Sequence, residues 1–431
     1  MSIQARAKEA KSASINLAAL DSSVKNKALE AIAVMLEERK NEIIEANQED
    51  YARSVKENLE GPLLKRLKFE DEKIAGVVDG IRSLIKLDDP VGQTKLATQL
   101  DEGLDLYRIS CPIGVVGIIF ESRPDALVQI STLCLKSGNS VLLKGGSEAA
   151  KTNRILADII SKASIEAGLP EGWIQLIETR ADVNEMFKLS EDIDLLIPRG
   201  SNAFVKYIMD NSNIPVLGHA DGVCHIYIHH DANKELVEPI VVDAKTQYVA
   251  ACNTVETLLI NEQAAPLYLP LIKEALELKN VELVGCEKTK AIIDIELATD
   301  ADWQTEYVDY KLSIKVVSSL EEAITHINTY GSGHTDAILT ESETDAKTFM
   351  TLVDAANVFW NCSTRFSDGF RYGFGAEVGI STSKIHARGP VGLDGLMIYK
   401  YKMIGNGQTV NDFATNKLSY KHTPLNKNCP L

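Results

Sequence analysis

Hydrophobic and charged positions alternate at helical spacing through the first part of the chain. From residue 1 to about residue 87, apolar residues recur in the i, i+3, i+4 pattern, as in segment 26–36. This spacing predicts a helical lead-in. At residues 94–111 the pattern changes to two short strand-like stretches around Asp101, Glu102 and Gly103, which predict a projecting hairpin.

Strands and helices alternate after the hairpin. Apolar runs of strand length occupy residues 115–120, 140–144, 173–177, 193–198, 214–217 and 223–228. Helical stretches such as 126–136 and 148–167 separate them, and a second alternating set has strands near 256–260, 315–317, 336–339 and 357–360. This alternation predicts an α/β fold with doubly wound parallel sheets, which bind ligands at the carboxyl ends of their strands. Residues 396–407 predict one further edge strand.

Composition and charge narrow the classes of partner. The chain has 431 residues and is 45% hydrophobic and 25% charged, which is typical of a soluble globular protein with two or three domains. A net charge of −16 argues against nucleic acid, so an anionic ligand must meet a local group of basic residues. The sequence has no run of about 18 apolar residues, and we expect no membrane span. Seven cysteines without a Cys-x-x-Cys pair fit the reducing cytoplasm.

One cysteine stands out by its position. Cys252 lies in a loop between a predicted helix, 236–247, and the predicted strand 256–260. A cysteine in such a loop can be a nucleophile, and a nearby ammonium, such as Lys245 in the last turn of the helix, or a helix N-terminus would raise its thiolate fraction. The alternative is a small buried apolar residue.

Two predicted strand-to-helix turns are candidate anion sites, because glycine permits close approach to the backbone and a helix N-terminus favours negative charge. The alternative for each is a tight turn with an exposed basic residue. Residues 373–379 imitate a dinucleotide fingerprint, but with one residue too many and without a preceding strand. The two turns consist of Lys144, Gly145, Gly146 and Ser147, and of Pro198, Arg199, Gly200 and Ser201.

Basic and small residues also gather at 363–366 and 383–390. In an acidic protein these are candidate anion sites, although a charged run is usually a solvated face. The eight histidines give little evidence of a metal site. His229 and His230 are adjacent at a strand end, where neighbouring side chains point to opposite faces. We therefore expect no metal.

Together these segments resemble the aldehyde dehydrogenase superfamily and, within it, the gamma-glutamyl phosphate reductase family. The resemblance covers nearly the whole chain, and its last segments are highly specific. One part of the resemblance is the order of features along the chain: a helix, a hairpin, segment 114–117, segment 144–146 and then Cys252. The other part is the sequence of six segments, 119–124, 197–200, 252–259, 363–366, 375–382 and 386–390.

The resemblance implies NADPH-dependent reduction of L-glutamate 5-phosphate to L-glutamate 5-semialdehyde and phosphate, a glutamate-5-semialdehyde dehydrogenase activity that is the second step of proline biosynthesis from glutamate. Cys252 would carry a thioester. Ser147 stands where NAD-preferring relatives have a glutamate, which favours NADPH. The implied catalytic residues are Cys252, Ser122 (an oxyanion donor) and Asn253. The implied cofactor contacts are Lys144, Gly145, Gly146, Ser147, Pro198, Arg199, Gly200, Ser201 and Asp309. The implied substrate contacts are Arg123, Arg365, Ser363 and Thr364.

Some of these roles have alternatives. Arg365 follows the predicted strand 357–360, in a loop that can face the Cys252 loop at the strand ends, but it could instead pair with Asp368 or Glu377. His219 stands where oxidising relatives carry the glutamate that activates water, so thioester hydrolysis is not promoted. The alternative functions are a CoA-acylating member of the superfamily and a catalytically silent partner of glutamate 5-kinase.

The resemblance also implies a domain organisation and partners. We expect a Rossmann-type NADPH-binding domain from residues 1–93 and 113–228 and a second α/β, catalytic domain from residues 229–390. Residues 94–112 and 391–415 are the expected oligomerisation element, and residues 416–431 the expected tail. A homo-oligomer and an interaction with a separate glutamate 5-kinase are implied as well.

Overall fold

A computed structural model describes residues 1–59, 61–178, 180–200, 202–219, 221–374 and 377–431. The chain folds into two compact units. The first comprises residues 1–217, 374–379 and 391–431, and the second comprises residues 218–373 and 380–390. The predicted α/β class is confirmed.

The helical lead-in is also confirmed. Its helices bury their apolar stripes in the first unit, and Ser2 caps the first helix, since its hydroxyl accepts the Ala5 N–H. Among the described residues, no helix is long and apolar enough to cross a bilayer. The helices are α1 (Ile3–Leu17), α2 (Ser22–Glu38), α3 (Lys40–Lys56), α4 (Gly61–Leu67) and α5 (Asp71–Ile85).

The first unit contains a four-stranded parallel sheet in the order β5-β4-β3-β6. Residues 214–217 do not form the predicted strand and contribute one isolated bridge, Leu196 to Val216, because Pro215 has no N–H to continue a ladder. The strands are β3 (Val115–Phe120), β4 (Ser140–Gly145), β5 (Ile174–Leu176) and β6 (Leu195–Arg199), and the helices are α6 (Pro124–Ser137), α7 (Ala150–Glu166), α8 (Arg180–Met186) and α9 (Asn202–Asn211).

The second unit contains a seven-stranded sheet in the order β10-β9-β11-β8-β7-β12-β13, and its pairings are parallel. The strand predicted at 223–228 belongs here and not to the first domain, because β7 pairs with β8 and β12. The expected boundary after residue 228 is therefore wrong. The strands are β7 (Cys224–Ile228), β8 (Val255–Asn261), β9 (Glu282–Gly285), β10 (Glu296–Leu297), β11 (Lys311–Val317), β12 (Thr335–Leu339) and β13 (Asn357–Trp360). The helices are α10 (Lys234–Thr246), α11 (Ala265–Glu277), α12 (Glu287–Lys290), α13 (Leu320–Tyr330) and α14 (Glu343–Leu352).

The predicted hairpin is present in the first unit as β1 (Thr94–Asp101) and β2 (Leu104–Pro112). It widens to an antiparallel sheet in the order β16-β2-β1-β17, with β16 (Met397–Ile404) and β17 (Thr423–Pro424). Residues 416–431 are thus not a separate tail, since they supply β17 and pack Leu425 against the hairpin. The remaining elements are β14 (Gly379–Ser381), β15 (Gly389–Val391) and α15 (Val410–Ala414).

Candidate active site

The Cys252 loop lies between α10 and β8 in the second unit, as the sequence predicts, and Cys252 is half-buried. The loop sits tightly against Gly222. A Cβ atom on Gly222 would lie 2.2 Å from the Cys252 carbonyl oxygen and 2.7 Å from its Cα. Because glycine has no side chain, the Cys252 backbone can occupy the space that a Cβ atom of residue 222 would fill.

A buried histidine contacts the thiol. His334 lies just before β12, and its Nε2 is 3.2 Å from the Cys252 Sγ. Its Nδ1 is 2.8 Å from the Thr335 hydroxyl, which holds the ring in place. The proton shared by Nε2 and Sγ can lie on the sulfur, as a thiol beside a neutral imidazole, or on the ring, as a thiolate beside an imidazolium. The thiolate form is the nucleophile. Sequence reasoning missed this residue.

The site lies at the amino ends of the strands, not at the carboxyl ends that the sheet class predicts. Cys252 precedes β8, Cys224 begins β7 and His334 precedes β12, and these strands are neighbours in the sheet. Because parallel strands begin at the same edge, the three side chains meet there.

Two thiols therefore lie near each other, and their surroundings separate their roles. The Cys224 thiol is fully buried and donates to the Cys252 carbonyl oxygen at 3.2 Å. Burial raises the pKa of the Cys224 thiol well above its ordinary value, so this thiol keeps its proton. Cys252 is the more exposed of the two and has the imidazole contact, which makes it the candidate nucleophile.

A second imidazole flanks the nucleophile. The His219 Nδ1 is 2.9 Å from the Ile380 carbonyl oxygen, and the His219 ring stands edge-on to the His334 ring, with 4.9 Å between ring centroids. One nitrogen of each ring and the Cys252 Sγ all lie within 4.8 Å of one another. The sequence placed His219 by resemblance, and the structure brings it to the nucleophile.

The ammonium considered at the sequence level is bonded elsewhere. Lys245 Nζ lies 2.6 Å from a Glu256 carboxylate oxygen, and both side chains are buried. Burial lowers the pKa of Lys245 and raises the pKa of Glu256 to about 7. The basic group in contact with the Cys252 thiol is thus the His334 imidazole and not the Lys245 ammonium.

Arg365 is buried near the thiol. Its Nε and Nη2 donate to the Gln247 side-chain oxygen at 3.0 and 2.9 Å. Burial lowers the pKa of the Arg365 guanidinium. Among the described residues, no carboxylate forms an ion pair with this guanidinium, and the Asp368 carboxylate accepts backbone N–H groups instead. The pairing with Asp368 considered for Arg365 is therefore not present.

Asn253 ties the nucleophile loop to the Arg365 loop. Its side-chain amide donates to the Ser367 carbonyl oxygen at 2.8 Å. Ser363 caps the short 3-10 helix of that loop by accepting the Arg365 N–H at 3.3 Å. Thr364 is buried, and within the described part of the chain its hydroxyl has no hydrogen-bond partner. The structure thus ties the Cys252 loop to the loop that carries three of the four predicted substrate contacts.

The Lys144 turn is in the first unit, at the end of β4. Lys144 is buried, and its Nζ donates to the Gly145 carbonyl oxygen. A Cβ on Gly145 would lie 2.1 Å from the Asn153 amide nitrogen, and one on Gly146 would lie 2.0 Å from a Glu148 carboxylate oxygen. Neighbouring side chains occupy this space, so a side chain at either glycine would require Asn153 or Glu148 to shift. Ser147 starts the 3-10 helix that leads into α7.

Glu148, which sequence reasoning missed, also engages the predicted oxyanion residue. One Glu148 carboxylate oxygen accepts the Ser122 N–H at 2.5 Å and the Ser122 hydroxyl at 2.9 Å. Ser122 has a positive φ of 43°, a conformation uncommon for a residue with a side chain. The hydroxyl of Ser122 is therefore bonded within the first unit, and its oxyanion role stays a prediction.

The remaining predicted contacts are distributed over both units. Pro198 and Arg199 end β6, and a Cβ on Gly200 would lie 2.8 Å from a Glu121 carboxylate oxygen. Ser201 lies outside the described residues. Arg123 is half-buried just before α6, whereas Asp309 is exposed before β11 in the second unit, where its carboxylate accepts the Tyr310 N–H. The cofactor contacts stay predictions.

Comparison with known proteins agrees with this fold. Residues 1–284 match the sequence model of the family described as "Aldehyde dehydrogenase family". The chain belongs to the aldehyde dehydrogenase family, whose members use a nicotinamide cofactor.

Particular relatives are more informative. The chain is 68% identical over 431 residues to the gamma-glutamyl phosphate reductase of Acetivibrio thermocellus, covering 100% of both chains. It is 64% identical to the protein of that name from Pelotomaculum thermopropionicum, covering 99% of this chain and 98% of the relative. The crystal structure of gamma-glutamyl phosphate reductase from Thermotoga maritima is similar with a TM-score of 0.93 and 41% identity, covering 95% of this chain and 100% of that one.

Proposed function

We propose that this chain reduces L-glutamate 5-phosphate to L-glutamate 5-semialdehyde, with release of phosphate, in the biosynthesis of proline. The observation that carries the proposal is the 3.2 Å contact between the Cys252 Sγ and His334 Nε2, in the same unit as the buried cation of Arg365. The names of the relatives support the choice of an acyl phosphate as the substrate.

The first half of the reaction follows from these groups. The Cys252 thiol gives its proton to His334 Nε2, and the sulfur attacks the acyl carbon. The bond between that carbon and the phosphate oxygen breaks, which leaves a thioester on Cys252. The imidazolium then returns the proton to the departing phosphate, so charge and protons balance. Arg365 would bind the phosphate, because a guanidinium presents a fork of donors to an oxyanion.

The second half requires a hydride, which the nicotinamide cofactor supplies when bound. The residues of the first unit fit an anionic dinucleotide: the buried Lys144 cation lies at the carboxyl end of a parallel strand, and a helix follows it. Lys144, Gly145, Gly146 and Ser147 would hold the cofactor. With a hydroxyl at Ser147, no carboxylate at that position repels a 2′-phosphate, and we therefore propose a preference for NADPH.

The decisive experiment is the reverse reaction with purified protein. We expect NADP⁺ reduction with glutamate semialdehyde to depend on inorganic phosphate and to disappear in Cys252→Ala. Turnover that requires CoA in place of phosphate would favour a CoA-acylating enzyme. An absence of turnover with either acceptor, from a folded protein, would favour the silent kinase partner.

The proposed role of His334 has its own readout. Alkylation of Cys252 by iodoacetamide reports thiolate reactivity without any substrate. An ordinary thiol, with a pKa of about 8.5, is still a few per cent thiolate at neutral pH, so His334→Gln should slow alkylation by up to about 30-fold. His230→Gln, at an exposed histidine of the same unit, is the matched control and should alkylate at the wild-type rate. Equal rates in the two variants would remove His334 from the mechanism.

We also propose that the chain acts in the cytoplasm as a homo-oligomer and that a glutamate 5-kinase supplies its labile substrate. The seven cysteines are all unpaired, as in a reducing compartment. At the sheet edge, β16 exposes apolar side chains, which favours self-association. These side chains are Ile398, Tyr399, Tyr401 and Met403. Light scattering of Tyr401→Lys against the wild type tests this, since an unchanged mass would exclude β16 from the interface.

A further inference from the structure

We propose that the nucleophile and its two histidines form an inhibitory binding site for a thiophilic divalent cation such as Zn²⁺. The ligands are the Cys252 Sγ and one ring nitrogen each of His219 and His334, which all lie within 4.8 Å of one another. The three residues come from three separate segments, so the sequence offers no metal-binding spacing. The inference rests on this geometry and not on the proposed reaction.

The hydrogen bonds of the two imidazole rings leave one nitrogen of each ring available to bind a cation. The Ile380 carbonyl oxygen, 2.9 Å from His219 Nδ1, can only accept, so Nδ1 carries the hydrogen and the lone pair is on Nε2. In His334, Nδ1 is bonded to the Thr335 hydroxyl at 2.8 Å and Nε2 points to the sulfur. Such outer bonds, in which the second nitrogen of each ring is held by the protein, orient histidine ligands in zinc sites.

Distances and donor types both select the ion. Bonds of about 2.3 Å to sulfur and about 2.0 Å to nitrogen put tetrahedral ligand atoms about 3.3 to 3.6 Å apart. The Sγ to His334 Nε2 distance is already 3.2 Å, and separations of at most 4.8 Å have to shorten by about 1.5 Å or less. One thiolate and two imidazoles suit Zn²⁺ and are poor ligands for Mg²⁺ or Ca²⁺. A water would fill the fourth position.

Occupancy would block the nucleophile. On binding, the Cys252 thiol releases one proton and the sulfur lone pair goes to the cation, while the imidazoles donate their lone pairs without losing a proton. The metal-bound sulfur can then attack neither an acyl carbon nor an alkylating reagent. Because the half-buried sulfur is accessible, the cation can enter and leave, and a chelator should restore the free thiol.

Binding is measured on the full chain without substrate. Titration with Co²⁺ should give a thiolate-to-cobalt charge-transfer band and intense visible bands of a tetrahedral ion, at one equivalent per chain, and Zn²⁺ should displace both. The band should vanish in Cys252→Ser and in wild-type protein whose Cys252 has been alkylated. We expect His219→Ala and His334→Ala each to weaken Zn²⁺ binding by at least about 100-fold. Zn²⁺ should also protect Cys252 from iodoacetamide, and EDTA should reverse the protection.

Cys286→Ser and His230→Gln are the matched controls, since they remove a half-buried thiol and an exposed imidazole away from the cluster. They should keep the band and the affinity. The proposal is overturned if Cys252→Ser or the alkylated protein still gives the charge-transfer band. It is also overturned if wild-type protein gives no such band, or if both histidine variants bind Zn²⁺ as tightly as the wild type.

Discussion

Gly222→Ala tests how closely the nucleophile loop depends on one absent side chain. The φ of Gly222 is not in the left-handed region, so alanine causes no backbone strain of its own. Its Cβ would, however, lie 2.2 Å from the Cys252 carbonyl oxygen, where ordinary contacts begin at 3.4 Å. The two backbones must therefore separate by about 1.2 Å, since neither can rotate away as a side chain can.

That displacement is large compared with the 3.2 Å contact between Cys252 and His334. A misplacement of about 1 Å at a reacting group can cost about 100-fold, equivalent to about 2.7 kcal/mol in the barrier. We expect Gly222→Ala to lower kcat/KM in the phosphate-dependent reverse reaction by about this factor. Iodoacetamide should alkylate Cys252 more slowly, and overpacking should lower the free energy of unfolding by about 1 to 3 kcal/mol.

Gly80→Ala is the matched control. Gly80 is exposed in α5, and its added Cβ would meet nothing within 4 Å. Activity should be unchanged, and the unfolding free energy should rise by about 0.5 to 1 kcal/mol, because glycine is unfavourable inside a helix. If Gly222→Ala keeps the wild-type kcat/KM and alkylation rate, the close contact does not position the nucleophile and our reasoning fails.

Three further predictions concern the phosphate, the cofactor and pH. Arg365→Lys should lower kcat/KM by about 10- to 100-fold, because lysine lacks the fork of donors of a guanidinium, and the melting temperature should be unchanged. If a lowered melting temperature is the main effect, the role of Arg365 is instead to hold Gln247. Ser147→Glu should shift the kcat/KM ratio toward NADH, and an unchanged ratio would refute the assignment of the Lys144 turn. Burial lowers the pKa of His326 to about 3, and unfolding restores a value near 6.5, so between these pH values the unfolded chain binds one more proton. The unfolding free energy should fall by up to about 1.4 kcal/mol per pH unit as the pH drops below 6.5. His326→Gln should lack this slope in denaturant titrations at pH 5 and pH 7, and an equal slope in both proteins would contradict the assignment.

Local patterns predicted the elements well where burial alone decides them. Val115–Phe120 has the predicted bounds, because it is a continuous buried apolar run that lies between Gly114 and Glu121. The run at 214–217 failed because Pro215 interrupts the hydrogen bonding that a strand needs. The domain boundary failed for a different reason. The strand at 223–228 belongs to the sheet whose strands it pairs with. The sequence of one strand does not show which other strands it pairs with.

Only those residues of the site that stand out within one segment, or that the resemblance implies, were predicted from the sequence. Cys252 and Arg365 were found, and the structure ties their loops together through Asn253. His334 escaped notice because its contact with Cys252 depends on the order β8-β7-β12, which is a property of the whole sheet. The role of Gly222 depends in the same way on a contact between distant segments.

The antiparallel sheet around the hairpin has a consequence for how the chain must be made. Its two central strands lie early in the sequence, whereas β16 and β17 come hundreds of residues later, and the Gln408 side chain bonds the Glu102 backbone across 306 positions. During synthesis the outer edges of β1 and β2 therefore remain unpaired while the ribosome translates the residues between β2 and β16. Unpaired edges of this kind are prone to pairing with other chains. Completion of this sheet is then a late step of biogenesis, and crowded polysomes are where misassembly of the protein should begin.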